Sequence, residues 1–517
     1  MPTQSGTVPQ GASLPFEPLA QFLPAIASDA ELAQCQGKKI GILIVAYNAL
    51  TTLTKVLKRI TPNVWANVEE IAVFDDASQD STYELAVGMK AMRDLPKLHV
   101  LRHAKNLGYG GNQKAGYQYF IERGFDIVVL LHGDGQYAPE ILSQMYAPIV
   151  RGEADAVFGS RMMQKYGGPL KGGMPLYKYA GNRILTTYEN AALGMNLTEF
   201  HSGYRAYNLH ALKKIDFTHM ADVFHFDTEI IIKLHHQHFR IAEVPIPTFY
   251  GDEICYVNGM RYAKDIVRAV SRYRKTCLGA VCYPEFQEYF VNSPVKTAPH
   301  SVHVYAQRAV GVSDRVLELG CGAGLFSAEL KKQGKRSITG VDARPEPEDD
   351  AIFDEYISAD LNGGLERLQR ALSGKRFDKV LLLDTLEHLQ HPEALLSAAR
   401  EWMEPAGAAV VSVPNIAHLW MRLQLLAGRF DYSSRGILDR THLRFFTRKS
   451  ARRLMRESGY QIVVEKATVP PFELVLGLSP NNPVVRLLNF VSAVLARLWP
   501  SMFGYQFVFV LARRANP

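Results

Sequence analysis

Polar side chains that could hold a phosphorylated ligand follow directly after three apolar runs in the first half of the chain. The runs are IGILIV (40–45), EIAVF (70–74) and DIVVLL (126–131). Each run predicts a buried strand, and the ligands of parallel α/β sheets gather at the carboxyl ends of the strands. The candidate binding residues at these ends are Ala46, Tyr47 and Asn48, then Asp75 and Asp76, then His132, Gly133, Asp134, Gly135 and Gln136.

The carboxylates among these residues have different uses. Asp75 or Asp76 can accept hydrogen bonds from the N–H groups of a nucleobase. The same segment also precedes a predicted helix, which Ser78 or Asp80 would cap. Asp134 lies between two glycines after a buried strand, where a carboxylate without a partner is costly. A divalent cation that bridges a diphosphate, Mg²⁺ or Mn²⁺, would supply that partner.

A second ligand site is indicated by the run VLELGCGAGLFSAEL (316–330), which predicts a strand, a tight turn and the start of a helix. Glycines let the backbone approach a ligand closely. Asp342 ends the next predicted strand and can hold two ribose hydroxyls, as in dinucleotide-binding and methyl-donor sites alike. The motif residues are Glu318, Gly320, Gly322 and Gly324.

Two series of short apolar runs must position these residues. The first extends from about residue 39 to 245 and the second begins near residue 313, and in each the runs alternate with helical patterns. This alternation predicts parallel sheets with crossover helices. A length of 517 residues also favours two cores over one. Between the two series, residues 252–299 carry basic residues at helical spacing, which predicts a basic helical connector.

Composition narrows the class of protein. The net charge of +7 is spread along the chain and does not indicate nucleic acid as a partner. Five scattered cysteines without a CxxC pair argue against disulfides and against a zinc site. No signal-peptide pattern opens the sequence, and residues 1–37 are expected to be a loose extension. A cytoplasmic protein is predicted.

One segment raises the question of membrane contact. Residues 484–503 are apolar, but Arg486, Arg497 and Pro500 interrupt them, which predicts an amphipathic helix rather than a membrane span. Either a core helix or a peripheral contact at the inner face of the membrane fits this pattern.

An ordered set of motifs in the first half resembles family 2 glycosyltransferases of the GT-A fold, especially those that act on dolichol phosphate and related polyprenyl phosphates. The motifs are VAYNA (45–49), FDDASQDST (74–82), NLGYGGNQKAG (106–116), HGDGQYAPE (132–140), GSR (159–161), HSGYRAY (201–207) and EVPI (243–246). The resemblance implies such a domain over residues 38–251. It also implies that Tyr47 and Asp76 hold the nucleoside, Asp134 and Gln136 the metal, and Arg161 the sugar or phosphates.

Two positions depart from the family pattern. His132 replaces the first acid of the DxD motif, and it could be a metal ligand or bond the nucleotide directly. Glu199 stands where the family has an aspartate that could orient or deprotonate the acceptor, although a glutamate in a surface turn is the alternative. The implied acceptor is a polyprenyl phosphate or a saccharide hydroxyl.

The second half resembles class I S-adenosylmethionine-dependent methyltransferases, which implies a Rossmann-like domain over residues 300–517. The ELGCGAG wording matches their first motif, and SADL (358–361), FDKVLLLDTLEHLQHPEALL (377–396), VSVPNIAH (411–418) and DRTHLRFFT (439–447) follow in order. By resemblance, Asp360 lies near the adenine and Asp384 near the methionine end. His388 and His442 are candidate bases, or structural histidines.

The sequence therefore predicts two enzymes in one α/β polypeptide. One is an inverting glycosyltransferase that uses a nucleotide sugar and a divalent cation. The other is a methyltransferase that uses S-adenosylmethionine, and both would act in glycan, polysaccharide or glycolipid biosynthesis. The alternative is a methyltransferase whose N-terminal domain binds a nucleotide sugar or glycan without catalysis.

Overall fold

The computed structural model describes residues 37–248, 258–291, 294–334, 336–346, 349, 351–433 and 435–514. The chain divides into two compact units, one ending at Tyr273 and one beginning at Arg274. Each unit is an α/β fold around its own sheet, which confirms the predicted fold class. The expected N-terminal extension lies outside the described residues except for Gly37.

The first unit is built on a seven-stranded sheet in the order β3-β2-β1-β4-β6-β5-β7. Within it, β6 is antiparallel to β4 and β5, and the other pairs are parallel. The strands are β1 (Ile40–Ala46), β2 (Glu70–Asp75), β3 (Leu98–Arg102), β4 (Ile127–His132), β5 (Ala156–Ser160), β6 (Arg205–Asn208) and β7 (Ile241–Pro245).

Helices flank this sheet and bury its apolar strands. They are α1 (Leu53–Arg59), α2 (Pro62–Asn67), α3 (Thr82–Met92), α4 (Gly108–Glu122), α5 (Leu142–Val150), α6 (Gly168–Lys171), α7 (Leu176–Leu193), α8 (Leu209–Lys214), α9 (Phe226–His236) and α10 (Gly259–Cys277). α4 approaches the sheet closely because it packs glycine against it. A Cβ at Gly116 would lie 2.4 Å from the side chain of Leu43.

The predicted basic connector contains helix α10. Its apolar side is buried through Ile266, Ala269 and Val270. The hydroxyls of Tyr262 and Tyr273 lie 3.2 Å and 2.7 Å from the Nδ1 atoms of two histidines of the first unit. Helix α10 up to Tyr273 therefore belongs to the first unit, and the connector from Arg274 onwards belongs to the second. Residues 252–257 of the predicted connector lie outside the described residues.

The second unit contains another seven-stranded sheet, in the order β10-β9-β8-β11-β12-β14-β13. β14 lies antiparallel between β12 and β13, and the remaining pairs are parallel. The strands are β8 (Arg315–Leu319), β9 (Ser337–Asp342), β10 (Glu355–Ser358), β11 (Phe377–Leu382), β12 (Met403–Pro414), β13 (Tyr460–Ala467) and β14 (Gln506–Arg513).

Nine helices of the second unit are described. They are α11 (Val302–Ala309), α12 (Leu325–Lys332), α13 (Leu365–Ala371), α14 (Pro392–Glu401), α15 (Leu419–Leu426), α16 (Arg448–Glu457), α17 (Phe472–Leu476), α18 (Pro483–Leu498) and α19 (Pro500–Phe503). In this part of the chain the parallel strands again bring their carboxyl ends to one edge of the sheet.

Helix α18 occupies most of the apolar segment near the C-terminus. It buries Val485, Asn489 and Ala496 and turns an apolar stripe outward. The exposed residues of this stripe are Val484, Leu487, Val491, Val494 and Leu498. The segment is thus an amphipathic helix whose apolar face is uncovered. Among the described residues, no helix combines the length and the apolar character needed to cross a membrane.

Candidate active sites

The predicted ligand-binding residues of the first unit meet at one edge of its sheet. In the parallel register, Ala46 pairs with Asp75, and Val45 pairs with His132. Side chains that follow β1, β2 and β4 therefore emerge side by side. This is the edge at which ligands of open α/β sheets bind.

The loop after β1 is held in a fixed conformation by the loop after β2. Asn48 has a φ of 50°, its backbone N–H donates to the Ser78 hydroxyl at 2.9 Å, and its side-chain oxygen accepts from the Gln79 N–H at 2.9 Å. Asn tolerates this left-handed conformation better than most residues. The neighbouring Tyr47 is 40% exposed, so its ring is available to a ligand.

Asp75 and Asp76 are both buried, with different partners. Asp76 accepts from the backbone N–H groups of Leu107 and Gly108 at 2.7 Å and 3.0 Å. Burial raises the pKa of Asp76, against the effect of these two N–H groups. Asp75 accepts from the Ser78 N–H and lies 3.3 Å from the Arg102 guanidinium. Asp76 thus positions the start of α4, and Asp75 is fixed by Arg102.

Asp134 stands apart because its carboxylate is exposed at this edge. One of its oxygens accepts from the Gln136 N–H at 2.9 Å, which places Gln136 in the same turn. The Thr52 hydroxyl donates to the Gly133 carbonyl at 2.7 Å and fixes that turn. An exposed carboxylate and a neighbouring amide oxygen suit a hard divalent cation.

His132 is partly buried and lies between the rings of Tyr109 and Tyr137, at centroid distances of 5.6 Å and 5.1 Å. Its Nε2 atom is buried and has no hydrogen-bond partner among the described residues. Burial lowers the pKa of His132, against the effect of Asp134. The imidazole is therefore neutral, with a nitrogen packed close to Gly203, where a Cβ would lie 2.7 Å from Nε2.

Arg161 and Glu199 form a buried ion pair. Glu199 Oε1 accepts from Arg161 Nε at 2.8 Å and from the Asn182 side chain at 2.8 Å, and Oε2 accepts from the Arg161 backbone N–H at 2.6 Å. Burial raises the pKa of Glu199, but Arg161 more than offsets it and holds that pKa below its usual range. Glu199 is thus a buried, ionised partner of Arg161, and it does not lie in a surface turn.

A second buried polar group in this unit was not singled out in the sequence. Arg205 donates to the carbonyls of Phe200 and Ser202 at 2.8 Å and 2.9 Å and so shapes the loop before β6. Asp227 accepts from the Tyr109 hydroxyl at 2.9 Å and lies 3.5 Å from Arg205. The HSGYRAY motif contained the signal for Arg205, but Asp227 lies in helix α9 without a motif of its own.

In the second unit the glycine-rich turn adopts a conformation that side chains disfavour. Gly320, Gly322 and Gly324 have φ values of 79°, 55° and 75°. A Cβ at Gly320 or Gly324 would meet neighbouring side chains at 2.9 Å, whereas a Cβ at Gly322 would meet nothing within 4 Å. The turn is therefore packed on both sides and open at Gly322, where a ligand can approach the backbone.

Two acids support this turn. Asp342, at the end of β9, accepts from the Gly322 N–H at 2.9 Å through one oxygen and from the Arg344 N–H at 3.2 Å through the other. Glu318 is buried in β8 and accepts from the Ser327 hydroxyl. Burial raises the pKa of Glu318 to about 7. The predicted residues Gly322 and Asp342 thus lie in direct contact.

Asp384 lies at the end of β11 and is held by an ion pair that the sequence did not predict. Lys296 Nζ lies 3.2 Å from one of its oxygens, and Ser412 and Gln506 donate to the other. Burial raises the pKa of Asp384, but Lys296 dominates and brings it to about 2. Asp384 also has a φ of 51°, a strained conformation for a residue with a side chain. The sequence did not indicate Lys296, because this residue lies outside the two series of apolar runs.

The remaining predicted residues of this unit lie at two places. Asp360 is exposed after β10, where it accepts from the Asn362 N–H at 2.9 Å. His388 and His442 lie together with Glu387, and their ring centroids are 4.9 Å apart. The structure therefore brings the two candidate bases into one cluster.

Known protein families match each half of the chain. Residues 41–216 match the model of glycosyl transferase family 2, and residues 295–465 match the model of a methyltransferase domain. The chain belongs to glycosyl transferase family 2 through its first half and to the methyltransferase-domain family through its second half. The prediction of a glycosyltransferase fused to a methyltransferase is thereby confirmed.

Individual relatives match one half of the chain each. An undecaprenyl-phosphate mannosyltransferase of Micrococcus luteus is 32% identical over 42% of this chain and 85% of its own length. A UDP-N-acetylglucosamine–dolichyl-phosphate N-acetylglucosaminyltransferase of Methanococcus voltae is 31% identical over 42% and 87%. A ubiquinone biosynthesis O-methyltransferase of Cereibacter sphaeroides is 30% identical over 35% of this chain and 74% of its own length.

Proposed function

We propose that the first unit transfers a sugar from a nucleoside diphosphate to a polyprenyl phosphate, with inversion at the anomeric carbon. The observation that carries this proposal is Asp134, an exposed carboxylate at the convergent ends of β1, β2 and β4. The names of the two first-half relatives described above include undecaprenyl or dolichyl phosphate, while the transferred sugars differ. The acceptor class is therefore proposed, and the sugar is left open.

The residues at this edge have separate tasks in the proposed reaction. Tyr47 stacks on the nucleobase, and Asp75 or Asp76 accepts from its N–H groups, with Ala46, Asn48 and Gly133 forming the backbone wall. Asp134 and Gln136 hold a divalent cation, Mg²⁺ or Mn²⁺, which neutralises charge on the departing diphosphate. The neutral His132 packs behind them, and its buried Nε2 is available as a further ligand.

The state of Glu199 supports a phosphate acceptor over a saccharide hydroxyl. A hydroxyl acceptor needs a base, and a carboxylate whose pKa is lowered by Arg161 is a weak one. A phosphate acceptor is already anionic and needs no proton removed. Glu199 therefore acts by fixing Arg161, which in turn faces the sugar or the phosphates.

For the second unit we propose S-adenosylmethionine as the methyl donor and a hydroxyl as the acceptor. Gly322 and Asp342 contact the nucleoside, and Asp360 lies near the adenine. Glu318 stabilises the glycine-rich turn. Asp384, paired with Lys296, faces the methionine end. The second-half relative described above is named as an O-methyltransferase, which supports an oxygen acceptor. The hydroxyl is expected on the transferred sugar or on a neighbouring group.

The proposal is tested by turnover. Purified chain would be incubated with UDP-, GDP- and dTDP-sugars, undecaprenyl phosphate in vesicles, Mn²⁺ and labelled S-adenosylmethionine, and the lipid products would be analysed by mass spectrometry. We expect one donor to yield a glycosylated lipid phosphate. A first unit that only binds ligands would give no turnover with any donor, and this result would overturn the proposed glycosyl transfer.

A lipid acceptor also requires access to a membrane surface. We propose that the exposed apolar stripe of α18 makes a peripheral contact there, because an amphipathic helix buries such a face at the interface.

A further inference from the structure

Three side chains in the second unit offer ligand atoms to one point. Glu387, His388 and His442 each place one such atom within 4.8 Å of the other two. Ligand atoms about 2.1 Å from one ion lie about 3 to 4 Å apart, so small side-chain movements would close this set around an ion. Within the described part of the chain, no other group of three acidic, histidine or cysteine side chains converges in this way.

The two imidazoles are already held in the form that binds a metal. Nδ1 of His388 lies 3.2 Å from the carbonyl oxygen of Thr441, and Nδ1 of His442 lies 3.0 Å from that of Ile437. A carbonyl oxygen only accepts, so each Nδ1 carries the proton, and the lone pair of a neutral ring is on Nε2. Metal-bound histidines are commonly oriented by such a second hydrogen bond.

The carboxylate of Glu387 gives an independent indication of a ligand. Glu387 is only 1% exposed, and its Oε2 atom has no hydrogen-bond partner among the described residues. Its backbone carbonyl accepts from the N–H groups of Leu443 and Arg444 at 2.8 Å and 3.0 Å, so the loop that carries His442 is fixed beside it. Buried polar atoms normally have a partner, and a cation would supply one here.

The location of the cluster connects it to methyl transfer. Glu387 and His388 follow β11, and β11 lies next to β8, which leads into the glycine-rich turn. Glu387 is three residues after Asp384, which we place at the methionine end of the methyl donor. An ion at this point would lie beside the transferred methyl group.

We infer that Glu387, His388 and His442 form a site for a divalent first-row transition-metal ion that binds the acceptor oxygen. Two imidazoles and one carboxylate favour such an ion over Mg²⁺ or Ca²⁺, and three protein ligands leave open positions for substrate. The role in catalysis rests on the methyl transfer proposed above, while metal binding does not.

The reaction step is a simple displacement. The metal-bound hydroxyl loses its proton to solvent water, because the ion lowers the pKa of that hydroxyl. The oxygen then attacks the methyl carbon, the new O–C bond forms as the C–S bond breaks, and the sulfur keeps the electron pair. The products are the methyl ether and S-adenosylhomocysteine.

Titration with Co²⁺, followed by its visible absorption, tests the site directly. All samples would be tag-free and carry Asp134→Asn, so that the proposed metal site of the first unit is weakened. We expect one bound Co²⁺ per chain. Adding His442→Ala or Glu387→Gln is expected to weaken binding by at least about 10-fold, since each removes a ligand. Adding His391→Ala, an exposed histidine that follows the cluster, is the matched control and should change nothing.

Titration of the same samples with S-adenosylhomocysteine separates the two proposals and shows that each variant is folded. Equal Co²⁺ affinity in all variants, or no Co²⁺ binding at all, would overturn the metal site even if the nucleoside still binds. Loss of nucleoside binding from the parent sample would instead overturn the proposed methyl-donor site.

Discussion

The ion pair between Arg161 and Glu199 determines what either side chain can contribute to sugar transfer. We predict that Glu199→Gln lowers the free energy of unfolding by about 3 kcal/mol, because the Arg161 charge stays buried without its partner. Sugar transfer should fall with it. Chemical denaturation and initial rates would be measured together.

The double variant Arg161→Leu/Glu199→Leu provides the control. It should recover part of the lost stability, since no unpaired charge remains, but it should not recover transfer. If Glu199→Gln instead kept full stability and lost only kcat, Glu199 would be a base, and the positioning role would be wrong.

Glu189 makes stability depend on pH. This residue is buried beside the Thr228 hydroxyl, and burial raises its pKa from 4.5 to about 8. The folded state therefore binds the proton more tightly than the unfolded state, and the stability gained at low pH is lost as the pH rises towards 8. His201, whose pKa burial lowers to about 4, is neutral in the folded state throughout this range.

We expect Glu189→Gln to remove this loss. Between pH 6.5 and 9 the unfolding free energy of the wild type should fall relative to that of the variant, as measured by urea denaturation. The exposed Glu122→Gln should follow the wild type. Parallel curves for Glu189→Gln and the wild type would contradict the raised pKa.

For individual residues, the sequence was informative where a residue follows an apolar run or belongs to a motif. Asp134, Asp342 and the three glycines were selected as candidate ligand-binding residues in this way. The partners that determine protonation were not, because Lys296 reaches Asp384 from 88 residues away and Arg161 reaches Glu199 from 38 away. Spacing along the chain does not encode such contacts.

Gly322, in the glycine-rich turn after β8, can be compared with Gly374, which lies shortly before β11. Gly322 and Gly374 both have positive φ and open space around a Cβ, but only Gly322 contacts Asp342. Alanine at either position should cost about 1 to 2 kcal/mol of stability through the left-handed backbone. We predict that only Gly322→Ala also weakens S-adenosylhomocysteine binding, by about 10-fold or more.

Isothermal titration calorimetry would measure this difference. Equal affinities for the two variants would mean that the backbone at Gly322 does not approach the nucleoside.

The exposed apolar stripe of helix α18 can be tested by substitution. Leu487 and Leu498 lie on the outward stripe, 62% and 77% exposed, so Leu487→Glu/Leu498→Glu should leave folding intact. We expect the double variant to lose flotation with anionic liposomes, because charge on the apolar face opposes insertion. Met92→Glu, at another exposed apolar residue, is the control. Unchanged flotation would mean that this face does not contact lipid.

The central strands were predicted to within a few residues, because continuous apolar runs between helical patterns have few alternatives. β8 begins one residue before the run that opens at residue 316, and β1 extends the predicted run 40–45 by one residue. The sequence did not predict β6, which is four residues long and carries the buried Arg205, or the terminal pair β13 and β14. Their pairing is antiparallel and depends on tertiary contacts.

For the whole molecule, the two compact units separate two chemistries along one chain. Each has its own core, its own parallel strand ends and its own acid at a strand end. Ligands of one unit should therefore bind independently of the site residues of the other. The domain limits predicted from the sequence remain predictions, and helix α10 contains the point at which the units divide.

Calorimetric titration with two ligands tests most directly whether each half of the chain has its own nucleotide site. The three proteins are the wild type, Asp134→Asn and Asp342→Asn. The ligands are a nucleoside diphosphate with Mn²⁺ and S-adenosylhomocysteine. We predict that Asp134→Asn loses the first and keeps the second, and that Asp342→Asn does the reverse. If one substitution abolished both, or neither substitution had any effect, the assignment of one nucleotide site to each half of the chain would be wrong.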